Sequence, residues 1–351
     1  MPDKETLIIL IPGFPKDEAD STCLPFQQAF VSCLKKNYPA LNIVILTFQY
    51  PFETKEYTFQ NIPVISFGGK NKGGLSKLLL RRKINKQLEK NHKSFSIKAI
   101  LSFWCGECAL VGSRFARKHG LKHYCWLMGQ DAKADNRYPR KIKFAPDELI
   151  TLSDFLQDEF ERNHHIRPHK VILPGIDTAS LQRTATAKDV DLLAVGSLIP
   201  LKQYDLFIET VSRVRETIPN VKAVLIGEGP EIENLLALIK TKKIESAIQL
   251  TGELPHAVVI QYMHRSKLLL HPSAYEGFGM VCIEALYAGA AVISFVKPMK
   301  KEVPGWYIVT GAEEMSNKAV ELLSAYTPVS ASGFDITHSV TAFMSLIYPA
   351  D

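Results

Sequence analysis

The sequence predicts an α/β protein built from two doubly wound, Rossmann-like domains, and three observations carry that reading. Short apolar runs and stretches of helical periodicity alternate along most of the chain, as parallel strands do when helices serve as their crossovers. A polar segment without periodicity, Gln182 to Asp189, divides that alternation into two series. At 351 residues the chain is long enough for two domains of ordinary size, each with its own core. The domains that follow are residues 1–183 and 189–325.

The first series opens with Leu7-Ile8-Ile9-Leu10-Ile11, a continuous apolar run expected of a buried parallel strand, which enters a loop at Pro12-Gly13-Phe14-Pro15. A helical pattern follows at 26–34, then strands at 42–48 and 64–67. Residues 77–86, KLLLRRKINK, read as a basic amphipathic helix. Next come a strand at 99–104, a helix at 107–119 and a strand at 123–128, and after a polar loop a strand at 149–152, a helix at 154–162 and a last strand at 171–173. The second series runs through strand 192–195, helix 204–214, strand 221–226, helix 231–239, strand 248–250 and a helix near 257–264. A final pattern at 337–348 reads as a helix beyond the loop 326–333.

The most informative stretch runs from His271 to Ser294, HPSAYEGFGMVCIEALYAGAAVIS. A buried strand, Leu268-Leu269-Leu270, leads into a turn at Pro272, Ser273 and Ala274 and then into Glu276-Gly277-Phe278-Gly279. From there Met280, Ile283, Leu286 and Tyr287 recur at helical spacing, and Gly289 stands where a helix stops before a strand at 291–295. A glycine-rich turn before a helix leaves backbone N–H groups free, and the helix dipole favours negative charge there, so the position suits a phosphate. Two carboxylates flank it, Glu276 in the turn and Glu284 eight positions on. Carboxylates repel phosphate but accept hydrogen bonds from sugar hydroxyls. The layout therefore suits a ligand with diphosphate in the middle and a sugar at either end, which describes a nucleotide sugar.

Apolar content of 46% and charged content of 22% describe a soluble globular chain. No apolar segment reaches the ~18 residues of a membrane helix, and MPDKETLIILIPG has no basic region ahead of a long apolar core, so the expected compartment is the cytoplasm. The six cysteines show no framework spacing. Charge is uneven: residues 1–180 hold 27 Lys and Arg against 18 Asp and Glu, the remainder 15 against 18. Such asymmetry draws a protein to anionic lipid, acidic glycans or nucleic acid. The basic helix at 77–86 points to peripheral contact with an anionic inner membrane surface, against the alternative of a solvated helix whose leucines face the core. Nucleic acid is not an expected partner.

Two glutamates separated by seven residues inside HPSxxEGFGxxxxEAxxxGxxVI resemble the signature of the retaining family-4 glycosyltransferases of the GT-B fold, with glycines, carboxylates and strand context in register. The resemblance implies two Rossmann-like domains facing each other across a cleft, with a C-terminal helix at about 336–351 packing back on the first. It implies retaining transfer from a nucleotide diphosphate sugar to a hydroxyl of a glycan or lipid-linked acceptor, without a metal or other cofactor. Glu276 and Lys202 are then the catalytic candidates, and the donor-binding set is Gly13, Gly196, Ser197, Lys202, Gly227, Gly229, Glu276, Gly277, Phe278, Gly279 and Glu284. Val195-Gly196-Ser197-Leu198 with Lys202 resembles the family's VGRLxxxKG, whose Arg and Lys hold the diphosphate; Lys202 matches, and Ser197 replaces a bidentate cation with one uncharged donor. Gly227-Glu228-Gly229-Pro230 resembles the GxGP turn near the base, and Thr251-Gly252 a loop that cradles it. Gly13 resembles the N-terminal loop that approaches donor phosphate and acceptor. Gly129-Gln130-Asp131 falls where relatives carry His-Gly-x-Asp, so Met128 replaces the His and Asp131 remains as a sugar or acceptor contact. Leu173-Pro174-Gly175-Ile176-Asp177 resembles the IPNGVD segment at the domain junction.

Other readings stand beside this one. Ser197 and Met128 motivate a non-catalytic nucleotide-sugar-binding partner of another transferase, and a sugar-nucleotide epimerase of the same fold is a third. Trp104-Cys105-Gly106-Glu107-Cys108, between a strand and a helix, has the local form of a redox motif whose helix start lowers a thiol pKa. The length of the chain and its two alternating halves argue against that role, and no second cysteine pair completes a zinc site.

Overall fold

The computed structural model describes residues 4–178, 181, 187–329 and 333–349. The expected linker residues 182–186, the boundary at 183, residues 330–332 of the expected loop and residues 350–351 of the expected last helix lie outside them. The chain forms two compact units, Met1–Gly175 with Ile336–Asp351, and Ile176–Asp335.

The first unit contains β1 (Glu5–Gly13), α1 (Pro25–Asn37), β2 (Asn42–Tyr50), β3 (Thr54–Phe59), β4 (Ile62–Phe67), α2 (Gly74–Ser94), β5 (Ser96–Phe103), α3 (Glu107–His119), β6 (Lys122–Leu127), α4 (Tyr138–Ile142), β7 (Leu149–Thr151), α5 (Asp154–His164) and β8 (Lys170–Val171). Its sheet has the order β3-β4-β2-β1-β5-β6-β7-β8. β1 lies in the middle with Leu7 to Ile11 fully buried, because helices cover both faces, and this is why the strand reads as an unbroken apolar run. β3 was not expected. It pairs antiparallel with β4 across Gln60-Asn61, both at positive φ, the backbone of a two-residue hairpin turn that carries no glycine to announce it.

α2 is twice as long as its basic stretch suggests, and its leucines divide between core and surface. Leu80, Ile84, Leu88 and Asn91 are buried on one stripe, whereas Leu75, Leu78 and Leu79 stand out from the surface. A single helix cannot turn every leucine of Leu78-Leu79-Leu80 inward, since neighbours are about 100° apart.

The second unit contains β9 (Val190–Val195), α6 (Tyr204–Thr217), β10 (Ala223–Ile226), α7 (Ile232–Lys242), β11 (Ile248–Leu250), α8 (His256–Arg265), β12 (Ser266–His271), α9 (Met280–Tyr287), β13 (Ala291–Ser294), β14 (Trp306–Ile308) and α10 (Ala312–Ser324). All its strand pairings are parallel, in the order β11-β10-β9-β12-β13-β14. Leu192, Leu225, Leu268, Leu270 and Ile293 from the strands pack with Phe207, Val211 and Met315 from the helices. The chain builds outward from β9 to β11 and then returns to lay β12 on the other side of β9. Loops leaving the carboxyl ends of β9 and β12 therefore part in opposite directions, and such a reversal opens a crevice.

The last helix, α11 (Ile336–Ile347), belongs to the first unit. Phe343 meets Phe30 edge-on at 5.6 Å and stacks on Trp126 at 6.1 Å. The Tyr124 hydroxyl donates to the Leu346 carbonyl at 2.8 Å. Among the described residues no helix is long and apolar enough to cross a membrane.

Candidate functional site

The loops that leave β9 and β12 at the reversal carry the residues singled out in the sequence. After β9 the chain turns at Gly196 and Ser197 and makes one short helical turn, Pro200–Lys202, before α6. After β12 it passes through Ser273 to Glu276 and enters α9 at Gly279. The loops are tied together: the Ala274 N–H donates to the Leu201 carbonyl at 3.0 Å. Lys202 Nζ donates to Glu276 Oε1, closing an ion pair across the mouth of the crevice.

A second donor reaches the same oxygen, His271 Nε2 at 3.0 Å. His271 is buried at the end of β12, so its ring is fixed by the sheet. Burial works against ionisation of Glu276, but His271 and then Lys202 outweigh it and hold its carboxyl down at about 2. Glu276 is thus an anion throughout the neutral range. It is an acceptor of hydrogen bonds, not an acid.

α9 begins at Gly279, whose φ of 89° and ψ of 62° lie in the left-handed region that glycine adopts at little cost. No side chain caps this end and its first turn has no acidic residue. Gly277 is buried in the turn. The buried Phe278 side chain lies edge-on to Trp306 at 6.3 Å and to Phe334 at 5.9 Å and anchors the turn. Glu284 lies farther along α9 and accepts from His256 Nε2 of α8 at 2.9 Å. That contact raises the pKa of His256 against the effect of its burial.

The glycines of the two neighbouring turns interlock. A Cβ on Gly227 would stand 1.9 Å from the Gly196 carbonyl oxygen, and one on Gly229 would stand 2.3 Å from the Leu198 carbonyl oxygen. In that close approach the Gly196 N–H donates to Ile226, the Leu198 N–H to Glu228 and the Gly227 N–H to Gly252. These glycines shape the floor beside the crevice. Ser197 is exposed on it, and the Tyr204 hydroxyl is buried beneath Gly196 without a hydrogen-bond partner among the described residues.

In the first unit, Gly13 ends β1, packed against Tyr50 of β2. Asp131 is turned inward: its carboxylate accepts from the N–H groups of Cys105 at 2.8 Å, Gly129 at 2.8 Å and Met128 at 3.0 Å. It splices the loop after β6 to the loop after β5, a use different from the expected sugar contact. The Met128 sulfur accepts from Gln27 Nε2 at 3.1 Å. Cys105 and Cys108 are buried free thiols, and burial pushes the Cys108 thiol well above its ordinary value. A buried protonated thiol is a packing residue. Among the described residues, no group of three or more His, Cys, Asp or Glu is placed to hold a metal ion.

Residues 178–324, which include both loops of the crevice, match the family of glycosyl transferases group 1. The matched stretch is similar to a group 1 glycosyltransferase domain. Over 178 residues it is 28% identical to a glycogen synthase of Mycobacterium tuberculosis, covering 49% of this chain and 43% of that protein. The chain thus spans less than half the length of that relative. An uncharacterized glycosyltransferase of Methanocaldococcus jannaschii is 28% identical over 279 residues, 75% of this chain and 73% of that one. Among solved structures, HepE of Anabaena, in complex with UDP and glucose, superposes with a TM-score of 0.70 at 17% identity, covering 98% of this chain and 99% of that one. The lipopolysaccharide outer core galactosyltransferase WaaB gives 0.69 at 15%, over 98% and 99%. The fold is GT-B.

Within the matched stretch, Glu276, Lys202, Gly196, Ser197, Gly277, Gly279 and Glu284 all follow β9 or β12, the strands at the reversal of the sheet. His271 and His256, to which the sequence analysis gave no role, turn out to be the partners of the two glutamates. His271 was signalled by its place in the HPS turn, but nothing local marks His256.

Proposed function

We propose that this protein is a retaining glycosyltransferase that moves a sugar from a nucleoside diphosphate sugar to an acceptor hydroxyl. One observation supports the reading: a lysine, two carboxylates and a helix start without a side-chain cap belong to the loops and helix that follow the two strands at the sheet reversal of the matched stretch. The diphosphate takes the start of α9 and Lys202. The anionic Glu276 accepts from hydroxyls of the transferred sugar, and Glu284, oriented by His256, accepts from those of the ribose.

Breaking the glycosidic bond passes through an oxocarbenium-like state while negative charge builds on the departing diphosphate. Lys202 and the N–H groups at Gly279 meet that charge where it grows, so catalysis is mainly positioning and electrostatic stabilisation. Retention follows from attack on the same face, with the donor phosphate accepting the acceptor's proton. Glu276 is too acidic to serve as the base, and none is assigned among the side chains. The UDP and glucose bound by HepE support a uridine diphosphate sugar as donor. A glycan or lipid-linked acceptor is supported by the glycogen synthase and by a Campylobacter jejuni transferase acting on a diphospho-undecaprenol, 30% identical over 164 residues.

A thermal-shift screen against UDP-, GDP-, ADP- and CMP-sugars tests the donor, since a ligand bound by the folded state alone raises the midpoint. One class should stabilise the protein and be slowly hydrolysed or transferred, and Glu276→Ala should abolish turnover without unfolding the chain. Binding without any turnover favours instead a nucleotide-sugar-binding partner of another transferase, the reading that the exposed, uncharged Ser197 supports. No shift with any donor sinks both.

A further inference from the structure

We infer that the outward face of α2 docks on an anionic lipid bilayer. At 100° per residue, Leu75, Leu79, Arg82, Lys86 and Lys93 fall on one stripe, opposite the buried stripe of Leu80, Ile84 and Leu88. The stripe is ordered along its length. Leucines come first, with Leu75, Leu79 and Leu78 exposed by 80%, 54% and 43%, and cations follow. From Leu75 to Lys93 it spans about 27 Å of helix.

The inward cations of the same helix are already spent. Lys77 and Arg81 both pair with Glu107 at the start of α3, Arg81 through two nitrogens. Burial opposes ionisation of Glu107, yet Arg81 and Lys77 hold its carboxyl down at about 2, so this clamp fixes the rotation of α2 about its axis. Arg82, Lys83 and Lys86 on the other side have no ion pair among the described residues. From Lys70 to Lys98 the chain carries ten Lys and Arg against one acid, Glu89, which is paired with Lys118.

Three solvent-facing leucines in one helical turn need an apolar phase, and the cations in line with them need anions. An acidic polysaccharide offers only the second. A second copy of this chain would set cation against cation along the same face. The boundary between headgroups and acyl chains of an anionic bilayer supplies both, in the order in which the helix presents them. The inference stands on the first unit alone and does not depend on the transferase reading.

The test is flotation of the full chain with phosphatidylcholine vesicles, with and without phosphatidylglycerol, in the absence of any donor or acceptor. The protein should float only with phosphatidylglycerol and be released by salt. Removing each cation should weaken the affinity about fivefold, so that Arg82→Gln with Lys86→Gln lowers it about 25-fold. Leu75→Ser with Leu79→Ser should weaken vesicle binding about tenfold or more while leaving binding to heparin, a soluble polyanion, unchanged. All four side chains are exposed, so the variants should keep the parental melting temperature. Equal flotation with both vesicle types overturns the inference. So does full vesicle binding by the leucine variant, or a self-association that the leucine variant abolishes.

Discussion

His256 Nε2 on α8 lies 2.9 Å from Glu284 Oε1 on α9, a contact between residues 28 positions apart. It ties the start of one helix to the middle of the next and holds the Glu284 carboxylate. The hydrogen bond to Glu284 raises the pKa of His256 above its ordinary 6.5. A raised folded-state pKa means that the stabilisation is fully present below about 6.5 and is lost as pH rises through the folded value. Affinity for the nucleotide sugar should therefore fall as pH climbs through that range. His256→Gln should bind the donor about tenfold more weakly at neutral pH and flatten the pH profile, read by titration calorimetry. An unchanged profile in the variant would show that His256 does not orient Glu284.

In the proposed mechanism Lys202 serves the leaving group and Glu276 the sugar. Lys202→Ala should lower kcat by about 10²- to 10³-fold with a smaller effect on KM, because its charge matters most when the diphosphate departs. Glu276→Gln keeps the shape and removes the anion, and should also slow turnover. The Glu276 pair adds a stability signature of opposite sign to that of His256. Its folded-state pKa is depressed to about 2, so its contribution is present above about 4.5 and is lost as pH falls toward 2. Acid unfolding of the wild type and of Glu276→Gln should converge at low pH.

Gly227 and Gly229 have no room for a methyl group, and both have positive φ close to 150°. Gly227→Ala places a carbon against the Gly196 carbonyl, with backbone on both sides unable to yield. A loss of at least about 2 kcal/mol is expected in denaturant unfolding. Gly311→Ser is the control: it caps α10 in an extended, unobstructed position and should cost nothing.

Cys105 and Cys108 should behave as core residues. Alkylation of the native protein followed by mass spectrometry should leave both unmodified under conditions that label denatured chain fully. Rapid labelling of Cys108 in the native state would revive the redox reading. Asp131→Ala, nearby, frees three backbone donors in the interior, and a loss of about 2–4 kcal/mol is expected from the same loop pair.

Where structure and sequence reading agree, the signal was local. Leu7 to Ile11 announces a strand buried on both faces, and Gly279, Met280, Ile283 and Leu286 announce a glycine-opened helix, because period and turn chemistry are properties of adjacent residues. β3 escaped because its alternation of charged and aromatic residues is weak and its turn uses Gln60-Asn61 without glycine. β14 and α10 followed a loop with no familiar pattern.

The sequence by itself determined the two parallel-sheet halves, the glycine-lined helix start and the two glutamates eight positions apart, since each is written in a run of neighbouring residues. Only the tertiary structure decided the partners: Lys202 against Glu276 across 74 positions, His256 against Glu284, and Asp131 turned inward to bind backbone. The reason is physical. Which side chains meet at a sheet reversal depends on where the crossovers return the chain, and that order is a property of packing between distant elements.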